Sequence, residues 1–354
     1  MGFAKPIEQY LFGNLLTEIQ VFMYLKDIIR GETDMKKFDV TALGELLVDF
    51  TENGMSAQGN PLLEANPGGA PCNVLSMLQN LGKKTAFIGK VGADMFGTML
   101  TQAVKDQGIN IDNLVTDDTV HTTLAFVHTG VDGDRDFSFY RNPGADMMLR
   151  EEEIQQEIFA DTKIFHFGTL SMTDLRMEQV TKHAVKKAKE QGAVISFDPN
   201  LRPPLWKKLG DAADKMWYGI SQCDILKISD DEISFLTGTA DIDQGIGKIM
   251  EQYCPALICA TMGKDGSKAY YKGKSVYAEP FLQKNTIETT GAGDTFMACI
   301  LNTVLDKGIN GLSENDMYEM LRFANAAASI ITTRKGALKV MPQNQEIRDM
   351  LQEG

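Results

Sequence analysis

Little in this sequence points to a fold held by covalent or metal staples. It has 5 cysteines in 354 residues, an odd number. Cys72, Cys223, Cys254, Cys259 and Cys299 contain no C-x-x-C pair. A disulfide framework is excluded, and the reduced thiols of a cytoplasmic protein are expected. Cations are in deficit: 35 Lys+Arg against 48 Asp+Glu leave a net charge of −13. Such a chain repels phosphate backbones, so no nucleic-acid partner is expected, although a local basic pocket for one small anion is compatible with it. No apolar run reaches the ~20 residues that cross a bilayer, so no membrane partner is expected either. His121, His128, His166 and His183 lack ligand spacing and read as packed or solvated side chains. The P-loop, metalloprotease-helix and nucleophile-elbow patterns are missing. Gly291-Ala292-Gly293 opens like a dinucleotide fingerprint, but Phe296 stands where its third glycine belongs.

What is present is ordinary globular composition, 43% hydrophobic and 23% charged. A chain this long buries roughly three-quarters of its surface. Residues 1–34 place Phe12, Leu15, Leu16, Ile19, Phe22, Met23, Ile28 and Ile29 at near-helical spacing, interrupted by Glu8, Glu18 and Asp27. That is a poor signal peptide, and we read it as an extension outside the core. From Met35 to residue 343 the pattern is that of one domain, with 344–354 as a tail.

Short β-rich runs alternate with helical stretches along that domain. Val40–Phe50, Thr85–Ile88, Lys163–Phe167, Val194–Phe197, Ile225–Ile228 and Ala256–Thr261 read as strands. Asn73–Leu81, Phe96–Asp106, Asp174–Glu190, Ala212–Ser221, Ile242–Tyr253, Gly293–Asp306 and Asp316–Thr333 read as helices. This order predicts an α/β fold with a mostly parallel sheet covered on both faces. Two stretches break the rhythm. Thr122–Thr129 and Asp136–Tyr140 flank a Gly/Asp-rich turn and read as a hairpin. Residues 51–66 are polar and rich in Gly and Asn. The two could pack together as a small β-lid or stand as separate excursions.

Three clusters carry chemistry. In Thr290-Gly291-Ala292-Gly293-Asp294, small residues open an apolar helix. Bare N–H groups and the helix dipole there suit a developing anion, and Asp294 in the first turn could take a proton from an attacking hydroxyl. An N-terminal cap with glycine for close packing explains the same residues. In Asn66–Asn73, Gly68-Gly69 permits close backbone approach, and Asn73 offers a donor and an acceptor to hydroxyl groups. In Asp198-Pro199-Asn200-Leu201-Arg202, an acid, an amide and a guanidinium follow a strand, where α/β sheets place ligand groups. Asp198 and Asn200 suit a metal ion held through phosphate or water.

At these residues the sequence resembles the ribokinase-like (PfkB) carbohydrate kinase family, and within it the fructokinases, from about Phe38 to Pro342. Both family signatures are present. One is Asn66–Asn73 continuing into Phe87–Gly97, and the other is Thr290–Asp294. The fructokinase character lies in Arg141–Asp146, in Phe197–Trp206 and in Lys227–Glu232 leading to Phe235–Gly238. The resemblance implies a three-layer α/β/α fold with a lid from about 50–66 and 121–141. It implies transfer of the ATP γ-phosphate to a hydroxyl of D-fructose, with Mg²⁺ and a possible K⁺ requirement. Other family acceptors are 2-keto-3-deoxygluconate, ribose and nucleosides, and a non-catalytic sugar-binding role is a further alternative.

The residue roles below rest on that resemblance. Asp294 is the base, and Gly291, Ala292 and Gly293 are the anion hole. Asp49, Gly68, Gly69 and Asn73 bind the sugar, with Arg141 reaching it from the lid. Thr261, Gly263, Gly266, Asn325 and Lys227 serve ATP, with Asn325 beside the adenine. Glu232 organises magnesium-bound water and phosphate. Thr289, Thr290, Glu288 and the Gly336-Ala337 turn resemble a potassium loop. Three positions depart from the family: Ser229 for Asn, Glu288 for Asp, and Cys72 for Ala. Cys72 suggests sensitivity to alkylation. Family members commonly pair through their lids, which implies a homodimer.

Overall fold

We describe the chain from a computed structural model covering residues 36–129 and 135–353. The extension read at 1–34 lies outside the described residues, as does the tip of the second hairpin.

The strands are β1 (Phe38–Leu43), β2 (Leu47–Met55), β3 (Pro61–Gly68), β4 (Thr85–Gly92), β5 (Asn110–Asp117), β6 (Leu124–Thr129) and β7 (Arg135–Tyr140). They continue as β8 (Thr162–Gly168), β9 (Val194–Asp198), β10 (Ile225–Ser229), β11 (Leu257–Thr261), β12 (Ser267–Tyr271) and β13 (Lys274–Ala278). The helices are α1 (Ala70–Asn80), α2 (Met95–Asp106), α3 (Glu157–Ala160), α4 (Leu175–Glu190) and α5 (Leu209–Gln222). They continue as α6 (Asp230–Thr237), α7 (Ile242–Gln252), α8 (Ala292–Lys307), α9 (Glu314–Ile331) and α10 (Asn344–Glu353).

A 9-stranded sheet runs in the order β13-β12-β11-β10-β9-β8-β1-β4-β5. All its pairings from β11 to β5 are parallel, and β12 and β13 add an antiparallel edge. Side chains alternate between its faces, as strand geometry requires. On β11, Leu257 and Cys259 join one core with α1, α8 and α9, while Ile258 and Ala260 join another with α4, α6 and α7. Both faces are therefore dry, which gives the three-layer α/β/α architecture. In the second core the rings of Phe167 and Phe197, both fully buried, stand 4.8 Å apart. Each ring contributes on the order of 2–3 kcal/mol through burial.

The run read as one strand at Val40–Phe50 is two. The chain leaves the large sheet at Gly44–Leu46 and enters a second, 4-stranded sheet ordered β3-β2-β6-β7. There Asp49 pairs with Asn66 on β3 and with Ala125 on β6, so the two excursions form one lid. Phe50 fixes the lid to the body: its ring stacks on Phe126 at 5.0 Å and meets Phe96 of α2 edge-on at 5.5 Å. The segment expected as a tail carries α10, whose Ile347 is buried in the first core. Among the described residues no helix is long and apolar enough to cross a membrane.

Candidate active site

A cleft of about 980 Å³ opens between the lid and the carboxyl ends of the parallel strands. That is the end of an α/β sheet where ligands collect. Helix α8 points its N-terminus into it. Gly291 caps the helix with φ 78°, a left-handed conformation, and a Cβ there would stand 2.7 Å from Ala337. Glycine is thus required by both conformation and space. One turn in, Asp294 is only 9% exposed, yet it still lines the cleft. Asn73 of α1 donates from Nδ2 to Asp294 Oδ2 at 2.8 Å. Burial pushes the Asp294 carboxyl up to about 6, helped by Asp198 and opposed by Asn73, Arg202 and Lys227. A carboxylate near that value ionises at neutral pH and is basic enough to accept a hydroxyl proton in a transition state. The cap reading holds beside it: Gly291 is the cap, packed against Ala337, while the Asp294 side chain takes no part in capping and accepts from Asn73.

Positive charge comes from β10. Lys227 is buried, with Nζ 3.0 Å from Asp198 Oδ2. Burial alone would lower its pKa, but Asp198 and Glu232 outweigh that and hold it above its usual value. A Cβ on Gly293 would lie 3.1 Å from that ammonium, so the amine sits against the start of α8. An anion at this helix end therefore meets a dipole and a full charge together.

Asp49 rises from β2 on the lid side. Burial pushes its carboxyl up to about 7, with Glu288 and Asp294 adding repulsion and Arg202 opposing. Gly68 makes room for it: a Cβ there would stand 2.1 Å from Asp49 Oδ2. Gly68 itself does not line the cleft, whereas Gly69 and Asn73 do. The Asn73 Oδ1 atom is buried and has no hydrogen-bond partner.

Most of the other expected residues converge. Gly291, Ala292, Gly293, Thr290, Thr289, Thr261, Gly263, Gly266, Asn325, Lys227, Glu232, Asn200 and Arg202 all line the cleft. Asp198 faces a small adjoining cavity of about 10 Å³, with Glu45, His166, Asn200 and Asp294 on its walls. Glu232 Oε1 accepts from Leu201 N and Oε2 from Ser229 N, each at 2.8 Å. It organises the loops around Asn200 and Ser229. Ser229, in place of Asn, is the N-cap of α6 in a reciprocal capping box with Glu232. Glu288 lies behind the cleft wall, where its Oε1 accepts from Gly336 N at 2.7 Å and ties the two loops together.

Two further expectations change. Arg141 does not line the cleft. Its buried guanidinium donates from Nε to Asp146 Oδ2 (2.8 Å), from one terminal nitrogen to Thr173 Oγ1 (2.7 Å), and from the other to the Leu170 carbonyl (3.0 Å). It braces the lid root against the body. Cys72 is fully buried, and burial first and Glu45 second push its thiol well above the usual value, which removes the ground for alkylation sensitivity. The sequence reading missed Glu45, whose buried carboxylate accepts from Ala70 N at 2.9 Å and lines the cleft. Its signal was an acid inside an otherwise apolar run. Also missed were Phe139, Phe281 and Ser329 on the cleft wall.

Among the described residues no cluster of three or more His, Cys, Asp or Glu side chains is arranged to hold a metal unaided. Asp198 is paired with Lys227 and both Glu232 oxygens accept backbone N–H groups, so a divalent ion here would be carried largely by phosphate oxygens and water.

Comparison with known proteins agrees with this geometry. Residues 37–344 match the profile of the pfkB family of carbohydrate kinases. A probable fructokinase-2 of Arabidopsis thaliana is 39% identical over 320 residues, covering 88% of this chain and 95% of the relative. A fructokinase from Xylella fastidiosa, solved with bound ATP, superposes with a TM-score of 0.81 at 31% identity over 90% of this chain and 99% of that one. A fructokinase from Vibrio cholerae O395, solved with fructose, ADP and calcium ion, gives a TM-score of 0.78 at 26% identity over 89% and 99%.

Proposed function

The chain belongs to the pfkB family of carbohydrate kinases, and on that premise we propose that it is an ATP-dependent fructokinase, moving the γ-phosphoryl group of ATP to a hydroxyl of D-fructose. The observation that carries this reading is the placement of Asp294. It is held by Asn73 of α1 and stands in the first turn of a glycine-capped helix whose start meets Lys227.

Fructose binds beneath the lid, with Asp49 and Asn73 accepting and donating to its hydroxyls. The unpartnered Asn73 Oδ1 is one such acceptor. Asp294 takes the proton of the attacking hydroxyl. The N–H groups opening α8 and the Lys227 ammonium offset charge gathering on the transferring phosphoryl. Thr261, Gly263 and Gly266 border the nucleotide end. When bound, Mg²⁺ neutralises phosphate charge, and Asp198, Asn200 and Glu232 would hold its water and phosphate ligands. The Glu288 bond to Gly336 brings together the loops that would hold K⁺, with Thr290 beside them. The lid excludes water that would otherwise consume ATP.

We place the working enzyme in the cytoplasm on its five free cysteines, Cys72, Cys223, Cys254, Cys259 and Cys299. We propose a homodimer through the lid, whose hairpin exposes Met55, Leu62 and Leu63 at 63%, 46% and 44%. Sedimentation of the wild type and of a Leu62→Asp/Leu63→Asp variant tests this. A monomeric wild type would refute it.

ADP formation measured across fructose, ribose, 2-keto-3-deoxygluconate, glucose and adenosine tests the activity. Fructose should give the highest kcat/KM. Preference for another sugar would keep the kinase and discard the acceptor. Binding of ATP and fructose without turnover would leave a non-catalytic binder.

A further inference from the structure

Asn325 was expected beside the nucleobase. It lines the cleft, but its amide is already engaged. Nδ2 donates to the carbonyls of Ala278 (3.2 Å) and Glu279 (2.9 Å), and Oδ1 accepts from Ser267 Oγ (2.8 Å). Both amide hydrogens are used in tying α9 to the end of β13. One turn further along α9 stands Ser329. Residues 325, 328, 329 and 332 follow helical spacing on one face, and all four line the cleft. Ser329 is 7% exposed, and its hydroxyl has no hydrogen-bond partner.

An unpartnered buried hydroxyl is costly, and native structures rarely keep one without a use. The surrounding wall suits a planar base. Gly263, Gly266, Pro280, Phe281 and Ala328 present backbone and apolar surface there. The anion-binding end is at Gly291–Gly293 and Lys227, whereas Asn325, one turn before Ser329, is tied to the end of β13. A serine hydroxyl swings about a single bond and both donates and accepts, so it can meet a ligand seated against α9 without backbone movement.

We propose that Ser329 is the side-chain hydrogen-bonding contact of this face for the nucleoside half of a bound purine nucleotide, and that Asn325 only braces the wall behind it. This rests on the kinase reading, so the test is made on nucleotide binding alone, without a sugar.

ADP and inorganic tripolyphosphate are titrated by calorimetry into nucleotide-free wild type and Ser329→Ala, and both proteins are melted with no ligand present. Loss of one neutral hydrogen bond predicts ADP binding about three- to tenfold weaker in the variant. Tripolyphosphate affinity should be unchanged. The unliganded variant should melt no lower than wild type, because the hydroxyl it loses has no partner to give up. Weaker binding together with unimpaired stability is a signature that a packing role would not give. Equal ADP affinity in the two proteins would overturn the inference. So would a parallel loss for tripolyphosphate, or a lower melting point that accounts for the loss. A wild type that binds no ADP would instead refute the kinase reading on which the inference rests.

Discussion

Replacing Asp294 by asparagine should make the protein both slower and harder to melt. The carboxyl is raised from 3.8 to about 6, mainly by burial. A carboxyl whose folded-state pKa is raised holds its proton more tightly in the fold than in the unfolded chain. Its stabilising contribution is complete below about pH 4 and is lost as pH rises through about 6. At pH 7.5 the ionised group therefore costs the fold about 3 kcal/mol. Asparagine keeps the shape and can still accept from Asn73, but it carries no charge to desolvate. At about 2 °C per kcal/mol for a chain of this size, Tm should rise by about 6 °C at pH 7.5. The gain should vanish near pH 4, where the wild-type carboxyl is protonated. Loss of the base should lower kcat by about 10²–10⁴-fold. Differential scanning calorimetry at pH 4 and 7.5, beside steady-state kinetics, measures both effects. A variant that melts lower at pH 7.5 would show that the buried charge costs the fold nothing, and one that keeps wild-type turnover would remove Asp294 as the base.

Three further predictions follow from single contacts. Gly68→Ala sets a Cβ 2.1 Å from Asp49 Oδ2 and must displace that carboxylate. Sugar KM should rise by about tenfold or more while ADP affinity holds, and an unchanged KM would remove Asp49 from the sugar site. Arg141→Ala strips the cationic partner from buried Asp146 and leaves it only the Thr123 hydroxyl, so Tm should fall by an amount reflecting about 3–5 kcal/mol. A normal Tm with a raised sugar KM would return Arg141 to the substrate. Iodoacetamide should label exposed Cys254 in the native protein and leave buried Cys72 unmodified with full activity retained. Inactivation that tracks Cys72 labelling, read by mass spectrometry, would contradict its burial.

The parallel βα pattern was legible because its strands are apolar throughout and its helices amphipathic, a contrast that survives without coordinates. Boundaries between sheets were not. Val40–Phe50 reads as one strand because periodicity cannot register a chain passing from one sheet into another. The β12–β13 hairpin escaped notice because its turn is Lys272-Gly273, with φ 49° and 76°, where Asn-Gly is the usual signal. The glycines of the site were legible because they answer local demands: a cap at 291, room for a carboxylate at 68. Arg141 was misplaced because sequence tells that it roots the lid, but not that Asp146, five residues on, turns its guanidinium into the body. Asn325 and Ser329 divide their work in the same way. Which of two polar residues on one helix face is already engaged depends on Ser267 and Glu279, far away in the chain.

Phosphoryl transfer from ATP to fructose through Asp294 can be watched by ³¹P NMR of the protein with equimolar ATP, D-fructose and Mg²⁺. The γ-phosphate resonance should disappear as a single sugar phosphomonoester grows in, with little inorganic phosphate, and Asp294→Asn should leave the spectrum nearly unchanged over the same period. Inorganic phosphate alone, or a spectrum in which fructose is untouched while another acceptor is phosphorylated, would contradict it.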